Sequence, residues 1–353
     1  MKVIRLAILG LGNVPLAVLR YMEEPGPAKT LKEAGIAIQL TGVTTGSRGN
    51  AINPDGIPFQ DLVAIGKSGR LEPLNKGPET SNSLEFVKAV PADILFVATP
   101  ASIPSVEEIK LAFARGIHVV TSNKTPVANH FRELTQDAKK HGVGFRFGAT
   151  VLAGYPPWAQ FFEAVSKQPI TELQIVVNAT SNNILTMMLE QGMSFEQGIA
   201  EAQRLGIAER EPSDDVDGHD TQKKLAILAN VLLDANLTPA DIPTVGIRGV
   251  TLEQLKQADQ SGKWIQLLGR AWFEKGQVKA EVKPVETDNP FFVHMRSTSM
   301  GLYFQTPTAD PGSESGTSFG IRLDLGSGDQ AIMATAAGVF EDILTIASMA
   351  LQG

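Results

Sequence analysis

The chain has 353 residues, 43% of them hydrophobic and 20% charged, the balance of a soluble globular protein with length for two domains and no need of a metal or disulfide staple. A net charge of −7 argues against nucleic acid as the main partner, because phosphate binding wants a basic face. The absence of cysteine removes disulfides, thiolate metal sites and cysteine nucleophiles together, and fits a cytoplasmic protein.

Lys2 and Arg5 precede an apolar stretch, Leu6 to Leu19. Gly10, Gly12, Asn13 and Pro15 interrupt it and no small-residue cleavage site follows, so a signal peptide is rejected. Val3 to Leu9 reads instead as a buried parallel strand ended by glycine, and Pro15 to Glu23 as a helix. Glu24 to Thr30, with two prolines and a glycine, is expected to be a loop. A second strand, Ile36 to Thr44, runs into Thr45-Gly46-Ser47-Arg48-Gly49. Ala92 to Ala98 is a third strand and stops at Thr99-Pro100. Val106 to Arg115 is an amphipathic helix, and His118 to Thr121 a strand followed by Ser122-Asn123-Lys124. Phe131 to Lys140 reads as a helix leading to a strand at Gly144 to Phe147. Such alternation is the pattern of an α/β fold with a doubly wound parallel sheet. From Thr171 the character changes. A strand, Leu173 to Val177, precedes helical material to Leu233, short strand-like runs between Thr244 and Tyr303, and a long loop, Thr306 to Gly320. Ala331 to Gln352 is long and apolar, but Glu341 and Asp342 in its middle are expensive in lipid, so it reads as a packed helix.

Gly10-Leu11-Gly12-Asn13-Val14-Pro15 lies between a strand and a helix, where glycines permit a tight turn and let backbone N–H groups reach a pyrophosphate. Pro15 takes the third position, usually Gly or Ala; proline is tolerated in a first helical turn because its missing N–H would be unpaired anyway. No Asp or Glu ends the second strand to bond a ribose 2′-hydroxyl. Ser47 and Arg48 stand there, a hydroxyl and a guanidinium that suit a 2′-phosphate, so NADP is favoured and NAD remains possible. Thr99, Pro100 and Asn123, at the carboxyl ends of the next strands, are further candidate cofactor contacts, and Lys124 sits where such sheets bind ligands.

The densest segment is Gly206 to Leu225. Pro212 is expected to end a helix there, and Asp220 and Lys224 lie i, i+4 on one face of the next. Glu209, Asp215 and Asp220 are more carboxylates than a helix cap needs, and a buried Asp–Lys pair can bind a polar substrate and move a proton. His118, His130, His141, His219 and His294 show no ligand spacing, and no metal site is expected.

Taken in order, several segments resemble homoserine dehydrogenases: Gly10 to Val14, Ser122-Asn123-Lys124, Ala149-Thr150-Val151, Asn178 to Asn182, Met193 to Leu225, and Thr335 to Val339 with Asp342. The stretch Glu201 to Leu225, similar to the family's A-E-x-D-P-x-x-D-V-x-G-x-D-x-x-x-K, is the most specific. The resemblance implies a Rossmann-type NAD(P)-binding domain over residues 1–149, completed by 331–353. It also implies an α+β substrate-binding and dimerisation domain over 150–330, and a homodimer. Lys124 and Lys224 look like the family's catalytic lysines and Asp220 like their acidic partner. Glu209 and Asp215 look like ligands for the substrate's amino group and its surroundings, and Thr180 like the threonine that contacts substrate and cofactor. The implied reaction is the reversible conversion of L-homoserine and NAD(P)⁺ to L-aspartate 4-semialdehyde and NAD(P)H. The phosphorylating dehydrogenase that shares this semialdehyde needs a thiolate, which a cysteine-free chain lacks.

The sequence also departs from that pattern. Leu152 stands where a glycine is usual, which is expected to alter the backbone approach there. Gly148 replaces a glutamate that in some members helps bind a monovalent cation, which leaves carbonyls as ligands. Ala179 replaces a glycine, and Gly326-Ser327-Gly328-Asp329-Gln330 only loosely resembles the family's G-x-G-A-G. No regulatory segment follows Gly353, so threonine feedback through such a domain is not expected. Because the departures fall near cofactor and substrate, two alternatives remain: a dehydrogenase for another small amino or hydroxy acid, and a non-catalytic NADP-sensing relative.

Overall fold

The computed structural model describes the chain except residues 101, 104, 153–163, 166, 308–315, 325–327 and 353, and the side chains of 350–352. The chain divides into two compact units, Met1–Ala159 with Ile332–Gly353, and Gln160–Ala331. Gly326 and Ser327, within the loosely matching glycine segment, lie outside the described residues.

The first unit is built on β1 (Lys2–Leu9), β2 (Ile36–Thr45), β3 (Gly49–Ile52), β4 (Ile94–Val97), β5 (His118–Thr121) and β6 (Phe145–Arg146), in spatial order β3-β2-β1-β4-β5-β6. All pairings are parallel except the β2–β3 hairpin. Period-2 alternation assigns the two faces of β1 to different cores. Ile4, Leu6 and Ile8 pack with the helices Asn13–Glu23 and Asp329–Gln352, while Ala7 and Leu9 pack with Ser83–Ala89, Val106–Ala114 and Lys124–Lys140. The sheet is therefore covered on both faces, as the alternating sequence predicts. The helix Asp329–Gln352 is long and apolar enough to cross a membrane by composition alone. Its Ala336, Val339, Phe340, Ile343, Ile346 and Ala347, spaced by three and four, are buried in the first of these cores.

Two local expectations fail. Glu24 to Thr30 is not a loop: Pro25–Glu33 is a helix with proline at its first position, where the missing N–H costs nothing. The helix expected from Phe131 begins at Lys124, with a kink at His130, whose φ of −130° and ψ of 29° break the helical path.

The second unit holds β7 (Glu172–Val176), β8 (Trp264–Glu274), β9 (Gln277–Thr287), β10 (Ser299–Gln305) and β11 (Ser318–Asp324), in order β11-β10-β7-β8-β9 and antiparallel throughout. The helices Ala179–Gln191 and His219–Leu233 pack against this sheet. Pro212 does not end the helix before it. That helix, Phe195–Arg204, closes at Gly206 (φ +71°), and Pro212 instead precedes the short helix Ser213–Val216. Ser318 to Gly320, expected as loop, open β11.

Candidate active site

In the first unit, strand order reverses at β1, with β2 on one side and β4 on the other. Doubly wound sheets hold ligands beyond the carboxyl ends of their strands at such a switch point. Gly10 (φ +97°) turns the chain there, and a Cβ on it would meet the Ala98 carbonyl oxygen at 2.4 Å. Only glycine lets the turn lie this close to the end of β4. A Cβ on Gly12 would meet nothing within 4 Å, and Gly12 and Asn13 are exposed. The helix Asn13–Glu23 has no side-chain cap and no acidic residue in its first turn, and Pro15 fits as its third residue. An open helix N-terminus under a bare glycine fits the pyrophosphate of a dinucleotide.

Around this turn the other candidate contacts converge. Buried Asn123 caps the helix Lys124–Lys140 by accepting from the Thr125 N–H at 3.1 Å, and its amide donates to Thr99 Oγ1 at 2.9 Å. Asn123 thereby ties the end of β5 to Thr99 and Pro100 after β4. Lys124 is the half-buried first residue of its helix. A cation there opposes the helix dipole, so local stability does not explain the residue. Arg48 donates to the Leu11 carbonyl within the glycine turn, and to the Gly66 carbonyl at 2.7 Å. Burial draws its pKa down from the ordinary arginine value. Arg48 is thus a brace for the turn as well as a cation beside it, while Ser47 is exposed at the hairpin tip.

Leu152 adopts φ +53° and is 1% exposed. The backbone takes the left-handed form a glycine would take, at a cost of about 1–2 kcal/mol. The departure at this position is thus a buried side chain on a glycine-like backbone.

The second unit assembles the acidic residues. Asp220 and Lys224, 7% and 13% exposed at their side chains, form an ion pair of 2.7 Å. Lys224 Nζ also donates to the Val177 carbonyl at 2.7 Å, just past β7. Asn178 is the organiser. Its Oδ1 accepts from the Ser181 N–H at 2.8 Å as a helix cap, which fixes which way the amide faces. Its Nδ2 then donates to Asp215 Oδ1 at 2.6 Å and to Asp220 Oδ2 at 2.9 Å. Ser181 Oγ donates to the Asp215 carbonyl at 2.8 Å, and Thr180 Oγ1 to the Ile207 carbonyl at 3.1 Å. Asp215, Asp220, Lys224 and Thr180 are thus brought together around one helix N-terminus. Among the described residues Glu209 is not joined to them: it is exposed, and its carbonyl accepts from Gln203 Nε2 at 3.1 Å. Sequence reasoning missed Asn178 as a site residue. A cap position before the helix was readable, but the carboxylates it would face, 37 and 42 residues on, were not.

A lysine–carboxylate cluster of this kind can bind an amino acid and move a proton, and the turn after β1 can hold a dinucleotide. The family model for homoserine dehydrogenase matches residues 157–344. The homoserine dehydrogenase of Methanocaldococcus jannaschii is 34% identical over 270 residues, 75% of this chain and 79% of its own. The NAD(+)-dependent homoserine dehydrogenase of Pseudomonas canavaninivorans is 34% identical over 295 residues, 81% of this chain and 83% of its own. A hyperthermophilic archaeal homoserine dehydrogenase solved in complex with NADPH superposes with a TM-score of 0.78 at 27% identity, covering 100% of this chain and 99% of that one. By motif order, fold and similarity over most of its length, the chain belongs to the homoserine dehydrogenase family.

Proposed function

We infer that the protein interconverts L-homoserine and L-aspartate 4-semialdehyde with a nicotinamide dinucleotide. The observation that carries this reading is the buried Asp220–Lys224 pair, joined to Asp215 through one amide. The first unit is the dinucleotide domain: Gly10, Gly12, Asn13 and Val14 hold the pyrophosphate, and Thr99, Pro100 and Asn123 line the adjoining edge. Arg48 and Ser47 would meet a 2′-phosphate, and the carboxylate beside them, that of Glu72 against Gly49, is paired with Arg70, so NADP is the favoured form and NAD remains possible.

The coenzyme supplies or accepts the hydride. In the reducing direction negative charge grows on the aldehyde oxygen, which the Lys224 ammonium stabilises and protonates. Asp220 holds that ammonium in place, as does the Val177 carbonyl. Lys124, carried by the first unit, is the other candidate acid. Asp215 and Glu209 take the substrate ammonium and Thr180 the polar groups beside it.

Purified protein mixed with L-homoserine and NADP⁺ or NAD⁺ should give rising absorbance of reduced nicotinamide. Turnover with other 2-amino or 2-hydroxy acids but not homoserine would replace the substrate reading. Coenzyme binding without any turnover would make the chain a sensor. A biosynthetic role of this kind belongs in the cytoplasm.

The second unit is also the proposed dimerisation unit. On its edge strand β11, half-buried Phe319, Ile321 and Leu323 alternate with exposed residues, an apolar row only partly covered. A homodimer is therefore expected in sedimentation at micromolar concentration, and a monomer there would defeat this assignment.

A further inference from the structure

The last helix carries a charge that this mechanism does not use. Asp342 is 2% exposed, on the face of Asp329–Gln352 that packs Val339, Phe340 and Ile346 into the apolar core. Burying a carboxylate there is costly unless it has partners. Its Oδ2 accepts from the Gly148 N–H at 2.8 Å. A Cβ on Gly148 would lie 3.1 Å from the same oxygen, so the bare backbone is what lets the contact form this tightly.

This N–H opens the turn Gly148–Thr150, which follows β6 on the carboxyl edge of the sheet. That edge also carries Gly10, Thr99, Asn123 and Lys124. The turn is tied back on itself by Thr150 Oγ1, which donates to the Phe147 carbonyl at 2.6 Å. Phe147 meets Phe131, on the helix that begins with Lys124, edge to face at 5.7 Å. A buried anion thus fixes one end of a turn that packs on β5 and follows a phenylalanine in contact with the lysine helix.

We propose that Asp342 is a positioning residue for the coenzyme site: its carboxylate anchors the Gly148–Thr150 turn at the rim where the nicotinamide dinucleotide is held. This rests on the coenzyme reading given above. An ionised carboxylate accepts the Gly148 N–H more strongly than a protonated one, because a charged acceptor makes the stronger hydrogen bond. Burial pushes its pKa up to about 7, with Arg146 from β6 working against that rise and Glu341 on the same helix adding to it. Acidification through neutrality therefore loosens the anchor. The other titratable group on the neighbouring strand, His118, has its pKa drawn down by burial against the opposing pull of Asp93, and its Nδ1 accepts from the Gly144 N–H at 2.7 Å.

The test is NADH binding by fluorescence titration between about pH 6 and pH 8, with KM and kcat followed in parallel; NADH lacks the 2′-phosphate that ionises in this range. Wild-type Kd should rise about three- to tenfold from the upper to the lower pH, as the anchor protonates. Asp342→Asn should bind more weakly at the upper pH, with a flat profile and kcat at saturating NADH changed less than KM. Gly148→Ala, which crowds the carboxylate without removing it, should weaken binding in the same direction. A flat wild-type profile overturns the proposal even where Asp342→Asn does not fold, as does an Asp342→Asn protein with wild-type Kd and pH profile. Failure of both NADH and NADPH to bind at any pH would instead sink the coenzyme reading.

Discussion

Lys224→Met is expected to lower kcat by about 10²-fold or more, because the growing charge on the substrate oxygen loses its ammonium. The substitution has a second effect that must be separated from the first. Asp220, 7% exposed at its side chain, would keep the Asn178 hydrogen bond but lose the cation 2.7 Å away. Breaking one side of a buried pair costs about 3–5 kcal/mol, so a fall in Tm will accompany the fall in rate. Lys224→Arg separates the two effects. A guanidinium keeps the charge beside Asp220 but does not give up a proton at working pH, so turnover should fall with far less loss of Tm. Steady-state rates from reduced-nicotinamide absorbance, read beside thermal unfolding, decide the matter. Near-wild-type kcat in either variant would remove Lys224 from proton transfer and leave Lys124 as the acid.

The glycines after β1 should differ in stability, but not in coenzyme binding, under the same small change. Gly10→Ala places a methyl group 2.4 Å from the Ala98 carbonyl oxygen in a backbone at φ +97°, where L side chains are strained. The turn must move, and a loss of about 2–4 kcal/mol of stability together with coenzyme binding is expected. Gly12→Ala meets no protein atom within 4 Å. Its stability should stay within about 1 kcal/mol of wild type. Its coenzyme binding should still fall, because the methyl group projects into the space left for the pyrophosphate. Thermal unfolding and NADPH fluorescence titration on both variants test the pair. Wild-type NADPH affinity in Gly12→Ala would show that the dinucleotide does not lie on this turn.

The parallel sheet was legible because its strands are short apolar runs closed by glycine, threonine or proline, and such runs have few other readings. The helix at Pro25–Glu33 was not, since two prolines and a glycine argue for a loop until one sees that proline at a first helical position breaks nothing. The same local logic governs the site. Asp220 and Lys224 could be paired from sequence because four residues on a helix fix their separation. Asn178 with its two carboxylates, and Gly148 with Asp342, 194 residues away, depend on how the chain closes in three dimensions. Leu152 shows the limit from the other side: the residue type argued for an altered backbone approach, and a left-handed φ of +53° cannot be read from a leucine.

The helix Asp329–Gln352 sits in the same core as β1, although the whole second unit intervenes in the chain. Synthesis runs from the amino end, so the first half of the Rossmann-type unit emerges with one wall of its core missing. Ile8, Leu16, Leu19 and Leu40, which share that core with Phe340 and Ile343, then have no final partner until the last helix appears. The inserted unit has all its strands contiguous and is free to fold first. Its folding shortens the effective loop that the last helix must close, from a flexible tether to a compact body, and so lowers the entropy lost at that step. The expected order of folding is therefore the inserted unit first and completion of the Rossmann-type unit second, with a window in which β1 and β2 present apolar surface.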